Sequence, residues 1–319
     1  MHTSFPRGTA PHSFRHLSRS FFLAALIASA FAICGVAQTP PAIADLDRAR
    51  QLLNSDKWKD AEPLVKEYLA KHPDTAEAHA LMGLVQYREH QPKASMAEYV
   101  QASQMGDLTA FDLRIFALDC AAIPDLPEAE KWMLRSIDLD GNDAATWEAL
   151  GHVRFAMQHY DPAIEALNKA LTLKPRTVSA ETLMALANER LARLDAAEAD
   201  YRTAISWQNE STKKDPVPLI GLGRVLIANN RPQDAIEWLV QATHTATPPP
   251  EAHELLGLAY SKTGNLPDAV TELKDAIAAE PKNARLHLML SKIYRSLGQS
   301  DNAAAELKQY SALQGSAAQ

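Results

Sequence analysis

Apolar residues recur at helical spacing along most of the chain, and the pattern they form repeats every 34 residues. The clearest unit is Ala144–Thr177, which opens on TWEALG and continues through Ala163, Leu167, Ala170 and Pro175. Pro250–Asn283 repeats the design with Leu256, Gly257, Tyr260, Gly264, Ala269, Leu273, Ala276 and Pro281. Extending the register in both directions predicts units at 42–75, 76–109, 110–143, 178–211, 216–249 and 284–315. The one break in phase is Thr212–Asp215. Each unit reads as two helices, so sixteen helices and no strand are expected.

The small residues explain the repeat. Gly or Ala at the eighth position and Ala at the twentieth let two helices approach closely, and a bulky side chain there would overpack the contact by about 1–3 kcal/mol. A single helical hairpin cannot bury its apolar face alone, so neighbouring hairpins must stack. Pro73, Pro175 and Pro281 close second helices, because proline lacks the backbone N–H. Asp74 and Asn283, just after two of these prolines, are expected to cap the next helix.

These positions resemble the tetratricopeptide repeat, whose pattern is Trp-x2-Leu-Gly-x2-Tyr followed by alanine, an aromatic or leucine, a second alanine and a closing proline. The resemblance implies an all-α, right-handed superhelical solenoid of about eight repeats that binds protein and carries no catalytic centre. It also implies a concave face lined by first helices, at the second, fifth, ninth, twelfth and thirteenth positions of each unit. Those positions supply Tyr87 and Arg88, then Phe111 and Arg114, then His152 and Phe155. Further along come Glu189, Arg190, Arg224 and Lys262, and in the last unit Arg285, Lys292 and Arg295. Several arginines in an acidic chain suggest a partner segment with carboxylates or a free terminus, since guanidinium pairs with carboxylate in a fork. Chaperone-binding members of the family clamp a terminal carboxylate with lysine, asparagine and arginine on three successive first helices, and that set does not occur here.

Residues 1–20 contain Arg7, Arg15 and Arg19, an apolar run follows from Phe21 to Ala37, and small residues stand at Gly35 and Ala37. This reads as a secretion signal cut after Ala37, a short linker at 38–41, the solenoid over 42–315 and a tail at 316–319. The expected location is the periplasm or outside the cell. The competing reading is an uncleaved inner-membrane anchor over residues 21–37. A lipoprotein reading at Cys34 is disfavoured by Ile33, which stands where that motif has a small residue.

Charge narrows the partners. The formal net charge is −7, and the leader holds three arginines and no acid, so the remainder is more acidic still. That disfavours nucleic acid and anionic lipid, which bind chiefly through cationic side chains. With Cys34 in the leader, Cys120 stands alone and reads as a buried, inert thiol. No catalytic, cofactor or metal motif is legible. His253-Glu254 is followed by leucines and not by the second histidine of a zinc helix. GLGR at Gly221–Arg224 carries the packing glycine of its unit, and DLDGND at Asp138–Asp143 reads as an inter-repeat turn. The remaining function classes are a scaffold or adaptor, a non-catalytic accessory of an exported enzyme or a polysaccharide or outer-membrane assembly, and self-association.

Overall fold

The computed structural model describes residues 41–208 and 214–317, and from Ala42 onward these belong to one compact unit. The leader, its expected cleavage point, Cys34 and part of the predicted insertion lie outside the described residues. Sixteen helices run in chain order and no strand occurs among the described residues. They are α1 (Pro41–Asn54), α2 (Trp58–Lys71), α3 (Ala76–Arg88), α4 (Pro92–Met105), α5 (Ala110–Ala122), α6 (Leu126–Leu139), α7 (Ala144–Ala156) and α8 (Tyr160–Leu173). They continue as α9 (Val178–Arg190), α10 (Leu194–Gln208), α11 (Val217–Ala228), α12 (Pro232–Thr243), α13 (Pro250–Thr263), α14 (Leu266–Ala279), α15 (Ala284–Ser296) and α16 (Ser300–Ala317). The final helix runs to Ala317, two residues beyond the last predicted unit. No described helix is long and apolar enough to cross a membrane.

Each helix packs on its neighbours in sequence, so hairpins stack in chain order into a solenoid. First helices also touch one another, α3 on α5, α5 on α7, α7 on α9, α9 on α11 and α11 on α13. No comparable contact joins successive second helices among the described residues. The first helices are therefore the crowded layer and the second helices the splayed one, and such a stack curves with its first helices inside.

Close approach within a hairpin rests on the small residues. Ala61, Ala129, Ala163, Ala197, Ala235 and Ala269 are fully buried at the twentieth position. Across from them, a Cβ built on Gly151 would lie 2.6 Å from Leu167 Cγ, and one on Gly223 2.5 Å from Leu239 Cγ. Where serine replaces either small residue it stays inside by bonding the partner helix. Ser95 Oγ donates to the Gly83 carbonyl at 2.8 Å, and Ser291 Oγ to the Ala303 carbonyl at 2.9 Å. A hydroxyl placed so close to a helix backbone would otherwise be a costly orphan. On the second helices, Val65, Tyr99, Met133, Leu167, Tyr201, Leu239 and Leu273 hold one register and are all fully buried. Each stabilises the stack by roughly 1.5–3 kcal/mol through apolar burial.

In seven of the eight hairpins the turn reverses direction through one left-handed residue. The position recurs as Asp56, His90, Gln158, Ala192, Asn230, Gly264 and Gly298, with φ between 56° and 85°. The following N–H closes a 6→1 bond to the first helix, as from Gln91 to the Gln86 carbonyl at 2.9 Å and from Arg193 to Asn188 at 2.9 Å. Only the last two of these seven turns use glycine, so the other five accept left-handed strain in exchange for the tight reversal.

Capping differs from the sequence expectation. Thr75, not Asp74, is the N-cap of α3, and it makes no side-chain cap bond. Asn283 does occupy the N-cap of α15, yet its amide donates to Glu280 at 2.9 Å and leaves the helix N–H groups to others. Working caps are Thr109, which forms a capping box with Asp112, together with Asp125 and Asp143. Asp143 ends the DLDGND stretch, which is a turn and cap.

Candidate binding face on the first helices

The inner layer leaves hollows with apolar walls between its helices. A hollow of 490 Å³ lies where α1, α3 and α5 come together, lined by Leu53, Ala80, Leu81, Leu84, Leu108 and Phe111 among others. Phe111 is 42% exposed, which is unusual for a phenylalanine on a well-packed helix. A second hollow of 450 Å³ lies between α5 and α7, lined by Leu118, Ala121, Leu126, Ala149 and Val153, with Arg114, Glu148 and His152 beside them. Tyr87 and Arg88 line a third, at the turn end of α3, with Trp58, Leu118 and Ala122. Leu118 belongs to both the second and third hollows, so these two form a continuous surface.

The helical repeat accounts for this surface. Positions two, five, nine and thirteen of a first helix fall within one stripe at 3.6 residues per turn. Leu84 and Leu118 stand at the ninth position, Ala80 and Arg114 at the fifth, and Phe111 at the second. The apolar floor at Leu53, Leu84, Leu118 and Ala121 escaped a reading that followed the cations. The signal was present as leucines at an outward-facing register.

Half of the expected arginines and lysines are already neutralised by acids of an adjacent unit or turn. Arg114 Nε lies 3.0 Å from Asp143 and its guanidinium sits 5.0 Å from the Phe111 ring centroid. Arg88 pairs with Asp56 at 3.5 Å and Arg285 with Glu254 at 3.1 Å. Arg50, on the edge of the first hollow, pairs with Glu77 of the next unit. Glu189 accepts from the Tyr201 hydroxyl at 2.9 Å and from Arg224 at 2.7 Å, and Arg224 also reaches Glu251 at 3.3 Å. Burial opposes the charge of Arg224, but Glu189 and Glu251 more than offset it and raise its pKa. This chain ties α9, α10, α11 and α13 together, so Glu189 and Arg224 brace the stack. Phe155 packs edge-on against Tyr160 at 5.4 Å and against the neighbouring core. Arg190, Lys262, Lys292 and Arg295 are exposed and have no ion pair among the described residues.

Position four of the first helix reveals what the repeat's tryptophan does. Trp147 Nε1 donates to the carbonyl of Gly141, in the turn that ends the preceding unit, at 2.9 Å. His79 makes the equivalent bond to the Pro73 carbonyl at 2.7 Å, and His287 to that of Pro281 at 3.3 Å. The other ring nitrogen of each meets an acid of the second helix, Glu98 at 2.6 Å and Glu306 at 2.6 Å. Burial opposes the charged form of His79, but Glu98 and the Pro73 carbonyl more than offset it, and its pKa is raised. In α9 the same register carries Glu181, facing Asp200. Burial, with Asp200 beside it, pushes the Glu181 carboxyl up to about 7. Burial likewise raises Asp119 to about 6 and the Cys120 thiol to about 11, so Cys120 is held as a neutral thiol. The face thus offers apolar hollows flanked by satisfied charges, an arrangement that recognises shape.

Family models agree with this architecture. Tetratricopeptide-repeat models match residues 46–108, 144–177 and 254–318, together just over half of the chain. Cellulose synthase operon protein C of Pseudomonas fluorescens (strain SBW25) is 24% identical over 286 residues, covering 77% of this chain but only 22% of that much longer protein. Among solved structures, pilF of Pseudomonas aeruginosa superposes with a TM-score of 0.56 at 20% identity, over 67% of this chain and 95% of that one. YrrB, a TPR protein with an unusual peptide-binding site, gives a TM-score of 0.50 at 17% identity, over 57% of this chain and 92% of its own. Repeat register, stacked hairpins and family models coincide: the chain belongs to the tetratricopeptide-repeat family.

Proposed function

We propose that this chain is an exported scaffold that holds a segment of a partner protein along the inner face of α1, α3, α5 and α7. The observation that carries the reading is the run of adjoining apolar hollows on that face, with Phe111 standing 42% exposed between the first two. Exposed apolar surface of this kind, flanked by polar groups, marks interaction sites. Because Arg114, Arg224 and Arg285 are spent on internal pairs, apolar side chains of the partner supply the main anchors. Carboxylates of the partner have Lys262, Lys292 and Arg295 to meet at the far end. The leader sequence supports a place in the periplasm or beyond it, as cell fractionation can test.

Selecting a random peptide library on the purified protein tests the binding face. Peptides with spaced apolar residues are expected, and Phe111→Asp should weaken them by about tenfold or more, the effect of losing one interface anchor. Recovered peptides that bind Phe111→Asp equally well would remove the proposed face. A narrower version of the role is an accessory in a polysaccharide-export assembly. It draws on the similarity to cellulose synthase operon protein C, and stoichiometric co-purification with such an assembly would support it.

A further inference from the structure

The His–Glu brace occurs three times in one register, as His79–Glu98, His253–Glu272 and His287–Glu306. In two of the three units the imidazole is used on both sides, by the acid and by a turn carbonyl. The unit of α13 and α14 departs from this in two ways. His253 Nδ1 meets Glu272 at 2.8 Å, but its Nε2 has no hydrogen-bond partner among the described residues. Three residues beyond the glutamate, where the other two units carry the neutral amides Gln101 and Gln309, this unit carries Asp275. Glu272 and Asp275 are three apart on α14 and so share a face beside His253 on α13. One donor atom from each of the three lies within 4.8 Å of the others, the one such three-residue group among the described residues.

We propose that His253, Glu272 and Asp275 bind a divalent metal ion of the zinc type. One imidazole nitrogen and two carboxylate oxygens are a donor set that zinc accepts, with water completing a tetrahedron. Zinc bonds of about 2.0–2.2 Å to nitrogen and oxygen place tetrahedral donors about 3.3–3.6 Å apart, so the widest pair must close by more than about 1 Å. Asp275 is exposed and free to make that adjustment. Binding releases to solvent any proton held between Nδ1 and Glu272, and the neutral imidazole, two carboxylates and divalent ion form a cluster of zero net charge in place of two neighbouring acids. The ion would pin α13 to α14 at the register where the two helices in the units of His79 and His287 are joined by the His–Glu contact.

The two sister units provide internal controls. Zn²⁺ titrated into the metal-free full chain by calorimetry is expected to bind one to one. Asp275→Gln, which copies the sister units, should weaken binding at least tenfold, and His253→Gln should abolish it. His79→Gln and His287→Gln should leave it unchanged. Co²⁺ should give a visible absorption band of a four-coordinate site that Asp275→Gln loses. Asp275 is exposed, so its replacement leaves the fold intact, as circular dichroism would verify. Absence of one-to-one binding, or Zn²⁺ binding and a Co²⁺ band unaltered by Asp275→Gln, would overturn the site.

Discussion

Gly221→Ala is expected to destabilise the solenoid by about 1–3 kcal/mol, more than any other single methyl added to its glycines. A Cβ there would lie 2.2 Å from Tyr201 Cζ and 2.4 Å from Cε1. Tyr201 cannot withdraw, because its ring is fully buried and its hydroxyl donates to Glu189, which in turn holds Arg224. The lost free energy should appear as a lower urea midpoint, with the α9–α11 region exchanging its amide protons first, since solenoids open locally. Leucine replaces tyrosine at this register in three other units, as Leu167, Leu239 and Leu273. Tyr201→Leu should therefore recover part of the loss when combined with Gly221→Ala. A double variant no better than the single one would show that the clash is not with the ring.

Acid should stabilise this protein where it weakens most. Glu181 is buried beside Asp200, and Asp200 is itself raised by burial and receives a hydrogen bond from Asn188 at 2.8 Å. The folded Glu181 carboxyl titrates near pH 7, while its ordinary value is 4.5. Between those values the folded chain keeps a proton that the unfolded chain has lost, so stability falls as pH rises through the window and is fully present below it. The largest effect of this one group is roughly 3 kcal/mol, at about 1.4 kcal/mol per pH unit. Asp119, raised to about 6, and His79 act in the same direction. Urea midpoints measured from pH 5 to pH 8 should fall, and Glu181→Gln should flatten much of the slope. Parallel profiles for the two proteins would refute the assignment.

Fold and site were not equally visible in the chain. The 34-residue recurrence of Gly, Ala and Leu announced the stacked hairpins, because close packing at Gly151, Gly223 and Gly257 leaves no room for alternatives. The role of Gly221 was not legible, since nothing in the sequence says that a tyrosine twenty residues earlier lies against it. The candidate face was half visible. Phe111, Arg114, His152, Tyr87 and Arg88 do line its hollows. Pairing between units was hidden, because Arg224 finds Glu189 thirty-five residues away and Arg285 finds Glu254 thirty-one away. The trio of His253, Glu272 and Asp275 was equally hidden, its members lying on two helices.

Photo-crosslinking in living cells tests the scaffold role most directly. A photoreactive residue replacing Phe111, exposed on the inner face, is compared with one replacing Lys66, exposed on α2. A discrete adduct with one protein from Phe111 and none from Lys66 is the predicted result. Equal adducts from both positions, or adducts from Lys66 alone, would contradict a partner held within the curve of the first helices.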